Sequence, residues 1–329
     1  MRVLVTGAAG YIGSRLVAHL ARAGAEVVAF DRFDFGAEGL TSLREFPELR
    51  LVKGDVRDRH QVETAMHGCD AVIMLAAVVG EPACNADPAS AEQINRDAAI
   101  AAIGLAQTLG VKRFIFFSTC SNYGLLDPSQ LADEETPLHP LSLYASTKVD
   151  VERFALSASG AMTITVLRLG TICGLSGRMR FDLLVNDMAR AAALGQTIEI
   201  YRPNAWRPFL HVADAGRVVE CVLGAPAERV NRRVFNVVGG NYQKAGLADI
   251  ARKHFPDVRI VVTNSQPDKR DYRVSGERIE RELGFKTAHT IEEAFLEVAA
   301  AVSDGVFVDP MWPGYCATPL RLQSREVAV

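Results

Sequence analysis

The sequence predicts an α/β fold: a doubly wound parallel sheet with a smaller lobe interleaved with its end. Three observations carry that prediction. Short β-branched runs alternate with Ala/Leu-rich stretches through the first half of the chain, a glycine turn joins the first run to the first helical stretch, and an acid closes the second run. The runs fall at residues 2–6, 26–30, 49–53, 71–75, 113–117 and 164–169. Helices are expected between them at about 12–23, 58–66, 91–109 and 142–158, the last two with apolar residues at helical spacing. Past Leu169 the alternation loosens. The stretch "GTICGLSGRMR" reads as loop, "FDLLVNDMARAAALG" as helix, and "TIEEAFLEVAAAV" (290–302) as a last amphipathic helix. The expected division is a dinucleotide-binding domain over 1–170 with the chain returning to it at about 205–238, a substrate lobe over 171–204 and 239–304, and a tail over 305–329 with few core positions.

At 329 residues, with 49% hydrophobic and 23% charged, the chain can bury a large core. The net charge is −3 with both signs scattered, so no basic field invites nucleic acid. The opening "MRVLVTGAAG" is too short and too interrupted for a signal peptide or membrane span, which predicts a cytoplasmic protein without a membrane partner. Six dispersed cysteines make no Cys-x-x-Cys and no Cys/His pair at metal-ligand spacing; reduced thiols and no metal site are expected.

Within "VLVTGAAGYIGSRLVAHL", Gly7, Gly10 and Gly13 bracket Tyr11 and Ile12 in a turn between strand and helix. Glycines let a pyrophosphate approach the backbone, and the helix start offers N–H groups and partial positive charge. Asp31 follows 18 residues beyond Gly13, where a carboxylate accepts from both ribose hydroxyls and repels a 2′-phosphate. NAD is therefore the expected cofactor, although the guanidinium of Arg32 could receive that phosphate. Asp55 and Val56 end the third strand, where they fit either the adenine edge or a loop cap.

Tyr144 and Lys148 in "LSLYASTKVDVE" stand four apart and share a helix face. A tyrosine is a poor base at neutral pH, but a neighbouring ammonium and a cationic nicotinamide both favour the phenolate. Such pairs also arise by chance on helix surfaces, and the nucleotide turn upstream is what sharpens this one. The stretch "STCSNYG" (118–124) puts Cys120 among hydroxyls at a strand end, with no His or cationic cluster in the sequence to activate a thiolate.

The ordered pieces "TGAAGYIG", "LAA" (75–77), "STCSNYG", "YASTK" and "WRPFLHVAD" resemble the extended short-chain dehydrogenase/reductases that act on nucleotide sugars, over Met1 to about residue 302. The resemblance implies a Rossmann fold, NAD, and Tyr144 as the base that takes a proton from a sugar hydroxyl as hydride leaves the same carbon. Lys148 is then its electrostatic partner and ribose anchor, and Thr119 the hydroxyl that holds the reacting group. Leu75, Ala76, Ala77 and Ser118 join the cofactor site by the same resemblance. Asn95 matches an asparagine supporting it from a helix; bonding to a neighbouring loop explains that residue almost as well. Arg207 and Asn186 match substrate-phosphate or base contacts, with Ser121 and Arg270 beside them, while Arg178 and Arg180 fit either phosphate binding or a solvated face. Relatives also dimerise through the helices read here as 91–109 and 142–158, a pattern that fits burial against the sheet equally.

The resemblance divides by reaction. The 4,6-dehydratases carry Asp-Glu directly after the catalytic Thr, and decarboxylases a Glu at the second position; Cys120 and Ser121 stand there instead. Chemistry without a second carboxylate is what remains. That is epimerisation at C4 of a nucleotide sugar through a transient 4-keto sugar, with a 4-dehydrogenase or ketoreductase as the alternative. "LAAVVGEPAC", "GRMRFDLLVNDM" and "PDKRDYRVS" look like a subgroup that includes a nucleotide-heptose 4-dehydrogenase. A regulator sensing NAD(P) without turnover is disfavoured by the retained Tyr/Lys pair.

Overall fold

The computed structural model describes residues 1–43, 45–127, 129–263 and 270–317. Seven parallel strands form one sheet in the spatial order Arg233–Val237, Thr163–Leu169, Arg113–Thr119, Ala71–Met74, Arg2–Thr6, Glu26–Asp31, Leu49–Lys53. The chain therefore winds outward from Arg2–Thr6 in one direction and then crosses back to Ala71–Met74 on its other side. Between the carboxyl ends of those two strands lies the switch point, where open α/β sheets bind ligands.

Alternation along each strand fills two cores, as a sheet covered on both faces requires. Val3, Val5, Val27 and Ile73 pack against the helix Tyr11–Arg22 and the second half of the chain. Leu4, Val28, Val72 and Met74 face the helix Ala98–Thr108 and the helix Leu143–Ser157. Ala99, Ala102 and Ala106 are buried on that side, so the alanines of the former helix serve the sheet.

The six strands read from sequence are all present, and a seventh, Arg233–Val237, pairs with Thr163–Leu169. "RVFNV" is short and follows a helix and a turn, so pattern alone did not single it out. The expected helix over 91–109 is broken into Pro88–Glu92, a π-helical turn Gln93–Asp97 and Ala98–Thr108. The strand Trp206–His211 belongs to a small separate sheet with Thr171–Cys173 and Gly240–Gln243. The tail also differs from expectation, because Phe307 and Tyr315 pack edge-on against Phe181 at centroid distances of 5.1 and 5.3 Å. No helix among the described residues is long and apolar enough to cross a membrane.

Candidate active site

A cavity of about 1150 Å³ opens over the switch point and extends from Asp31 to the lobe built by residues 171–244. The glycine turn forms its wall at the Asp31 end. Gly7 has φ +71°, the left-handed region, and a Cβ there would lie 2.9 Å from the Ala76 nitrogen. Gly13 has no room at all: a Cβ would stand 2.0 Å from the Gly7 oxygen and 2.8 Å from that of Ala8. Gly13→Ala is therefore expected to cost about 1–3 kcal/mol in stability and to weaken NAD binding together with it, read by urea unfolding and by titration with NAD. Gly10 caps the helix Tyr11–Arg22 without a side-chain hydrogen bond, and no acid occupies the first turn. The helix start thus presents uncapped N–H groups to the cavity, which fits a pyrophosphate.

Behind this wall Thr6 is buried, its Oγ1 accepting from Leu75 and Ala76 nitrogens at 3.2 Å each. That places Leu75, Ala76 and Ala77 along the cavity. Asn95 does not line it. Its amide instead bonds both backbone groups of Val78, at 2.8 and 2.9 Å, pinning the loop that follows Ala77.

Asp31 accepts from the Ala9 nitrogen at 3.0 Å and the Phe33 nitrogen at 2.8 Å; Phe33, at φ +57°, turns back to make the second bond. Burial raises its carboxyl above the ordinary range, against the pull of those two N–H groups. An ionised carboxylate offers about four acceptor sites, so two remain for ribose hydroxyls. Arg32 is committed to carboxylates: it bonds Asp34, and Asp55 at 3.4 Å. Asp55 is in turn gripped by Arg57 at 2.6 Å, which holds its carboxyl down at about 2. A 2′-phosphate would have to displace these acids from Arg32 and meet Asp31. Asp55 and Val56 both line the cavity, and Asp55 spends its carboxylate on the two arginines.

At the other end, Thr119, Ser121, Tyr144 and Lys148 share the cavity wall. Thr119 Oγ1 accepts from the Ser121 nitrogen at 3.1 Å, which leaves its own proton to donate. Lys148 donates from Nζ to the Phe117 oxygen at 3.0 Å, and Nζ lies 5.8 Å from the Tyr144 ring centre. Ser118, though it lines the cavity, turns its hydroxyl to Glu152. Cys120 points away altogether: its thiol donates to the Arg168 oxygen at 3.3 Å, and burial pushes its pKa far up.

The family profile described as "NAD dependent epimerase/dehydratase family" matches residues 3–238. This chain belongs to that family. It is 29% identical over 316 residues to a dTDP-glucose 4,6-dehydratase of Streptomyces griseus, covering 91% of this chain and 93% of that protein. To a UDP-glucose 4-epimerase of Rhizobium leguminosarum bv. trifolii it is 34% identical over 246 residues, 67% of this chain and 73% of the relative. The solved structure titled "MoeE5 in complex with UDP-glucuronic acid and NAD" superposes with a TM-score of 0.80 at 26% identity, covering 93% of this chain and 100% of its own. The chain is thus an NAD-dependent family member, and the glycine turn with Asp31 is where its residues fit that cofactor.

In this epimerase/dehydratase family member the Tyr/Lys pair is electrostatically quiet. Burial raises Tyr144 to about 12, partly offset by the cations Arg180 and Arg270, and lowers Lys148 to about 8. The Lys148 ammonium is aimed at the Phe117 carbonyl, and burial sets the direction of the Tyr144 shift. In the loaded protein, bound NAD supplies a cationic ring and a hydride acceptor.

The remaining predicted residues separate. Arg180, Arg207 and Arg270 line the cavity, with Arg270 bonding Ser121 Oγ at 3.2 Å and Arg180 paired to Asp182 at 2.7 Å. Asn186 is corrected to a structural role: it is 0% exposed, accepts from the Gly174 nitrogen at 2.9 Å, and donates to Tyr11 Oη at 3.0 Å and the Arg180 oxygen at 2.9 Å. Tyr11 likewise spends its hydroxyl on the Gly174 oxygen at 2.6 Å, tying the cofactor helix to the lobe. Arg178 lies at the Asp31 end, its guanidinium carbon 3.9 Å above the Phe35 ring. Sequence reasoning missed Lys244, which is buried, lines the cavity and sits 3.5 Å over Tyr201. It also missed Tyr272, whose hydroxyl reaches Ser121 Oγ at 3.4 Å. Lys244 opens a helix within no motif, so no local signal could have found it.

Proposed function

We propose that this protein is a nucleotide-sugar 4-epimerase that oxidises C4 of the sugar and returns the hydride to its opposite face. Tyr144 takes the proton of the C4 hydroxyl, and Thr119 donates a hydrogen bond that holds the reacting oxygen. Arg180, Arg207, Arg270 and Lys244 bring four cationic side chains to the lobe end, suited to a nucleoside diphosphate.

The observation that carries the reading is the floor beside Thr119. Eliminating water from the sugar needs an acid and a base there, but Cys120 is turned into the protein and Ser121 alone faces the cavity. Among described lining residues, Asp31, Asp34 and Asp55 belong to the glycine-turn end and Asp182 is held by Arg180. Glu81, exposed at the start of its own helix three residues before Cys84, is a single carboxylate and not an acid–base pair. Likeness to a dehydratase over most of the chain therefore coexists with Cys120 and Ser121, and no Asp-Glu pair, directly after Thr119.

Incubation with UDP-, dTDP-, GDP- and CDP-sugars, read by product mass and stereochemistry, tests this. A product of unchanged mass and inverted configuration at C4, without accumulating NADH, is expected. Loss of water would make the protein a dehydratase, and loss of two hydrogens with stoichiometric NADH would favour the 4-dehydrogenase suggested by the heptose subgroup.

A further inference from the structure

We infer that the C-terminal segment 307–317 is a cofactor-retaining strap, holding Arg178 as a cover over the adenosine half of NAD. The inference rests on the family's NAD and on Asp31 as the ribose acid, and is independent of the epimerase reading.

Arg178 was expected at the substrate or in solvent, yet the chain presses its segment flat against the loop after Asp31. A Cβ on Gly177 would lie 2.5 Å from the Gly39 oxygen, and one on Gly39 would lie 2.9 Å from the Arg178 nitrogen. The Arg178 nitrogen also donates to Ser14 Oγ of the cofactor helix at 3.3 Å. Its guanidinium stacks on Phe35, and one Nη donates to the carbonyls of Cys316 and, at 3.5 Å, Gly314. Phe35, Arg178 and Ala317 all line the cavity.

The strap is itself anchored. The Phe181 nitrogen donates to the Tyr315 oxygen at 2.9 Å, the Ala317 nitrogen to Asp182 at 3.2 Å, and Arg190 to the Pro310 oxygen at 3.4 Å. Edge-on contacts of Phe181, Phe307 and Trp312 with Tyr315 complete it. A guanidinium stacked on one ring can stack a second planar ring on its other face and neutralise nearby phosphate. Burial and Arg180 lower Arg178 to about 10, which still leaves it charged at neutral pH.

The test is NAD release from the holoprotein after rapid dilution, with NAD affinity by calorimetry on the stripped protein. Full-length Arg178→Gln is expected to release NAD about tenfold faster and bind it about tenfold more weakly. Affinity for a nucleoside diphosphate bound by the wild type should stay within about twofold. A chain ended after Pro313 should show the same acceleration, and adding Arg178→Gln to it should change little more, since both remove one contact. Should that shortened chain fail to fold, Arg178→Gln decides alone. Wild-type NAD release in Arg178→Gln, or weakened nucleoside diphosphate binding with NAD unchanged, would overturn the inference.

Discussion

Tyr144→Phe is expected to lower kcat by about three orders of magnitude while leaving NAD binding within about twofold, because it removes a proton acceptor and little else. The ring lies in the cavity wall, and the Tyr144 hydroxyl makes no hydrogen bond that holds the fold among the described residues. The pH behaviour follows from the raised Tyr144 and the lowered Lys148. In the NAD-free protein the Tyr144 phenolate should titrate near 12, measured as the absorbance difference between wild type and Tyr144→Phe. Loading with NAD should move that titration down. For stability the two groups act oppositely. Between about 8 and the ordinary lysine value the unfolded chain binds the Lys148 proton that the folded one has lost, so rising pH stabilises. Above the ordinary tyrosine value the folded chain retains the Tyr144 proton, so rising pH destabilises. A loss of less than about tenfold in Tyr144→Phe would remove Tyr144 from the proton transfer.

The second large effect is on the fold beneath the site. Glu152, one turn beyond Lys148 on the same helix, is buried with Arg168 at 2.6 Å, their side chains 2% and 5% exposed. Ser118 and Asn122 also donate to Glu152, and Arg168 reaches Tyr123 Oη at 3.0 Å, which in turn donates to Asn236 at 2.8 Å. This network fixes the strand end from which Thr119 projects. Glu152→Ala leaves the Arg168 charge buried without its carboxylate and should cost about 3–5 kcal/mol in urea unfolding. Replacing both residues by apolar ones of similar volume should recover much of it. A cost below about 1 kcal/mol in the single variant would mean that the pair is solvated in solution.

What the sequence made legible was local. Gly7, Gly10, Gly13 and Asp31 declare themselves because a strand, a turn and a helix follow in unbroken order, and Tyr144 and Lys148 because one helix carries both. Arg178 and Asn186 cannot be placed from sequence, since their neighbours Gly39, Cys316 and Tyr11 come from distant parts of the chain. The two residues sit eight apart in one quoted stretch. The fold sends one to the Asp31 end of the cavity and buries the other at the junction of helix and lobe. The tail shows few core positions in sequence because its aromatics are spaced by turn residues, without helical or strand period. Of the two readings the sequence allows for Asn95, bonding to a neighbouring loop is the one its contacts with Val78 match.

The most direct test of C4 epimerisation is the fate of deuterium placed at C4 of a nucleotide sugar that the protein converts. An epimerase lifts the deuteride to NAD and returns it to the other face, so the 4-epimer should keep deuterium at C4 with no deuterated NADH released. Deuterium appearing in free NADH, or in a dehydrated 4-keto-6-deoxy product, would contradict the account.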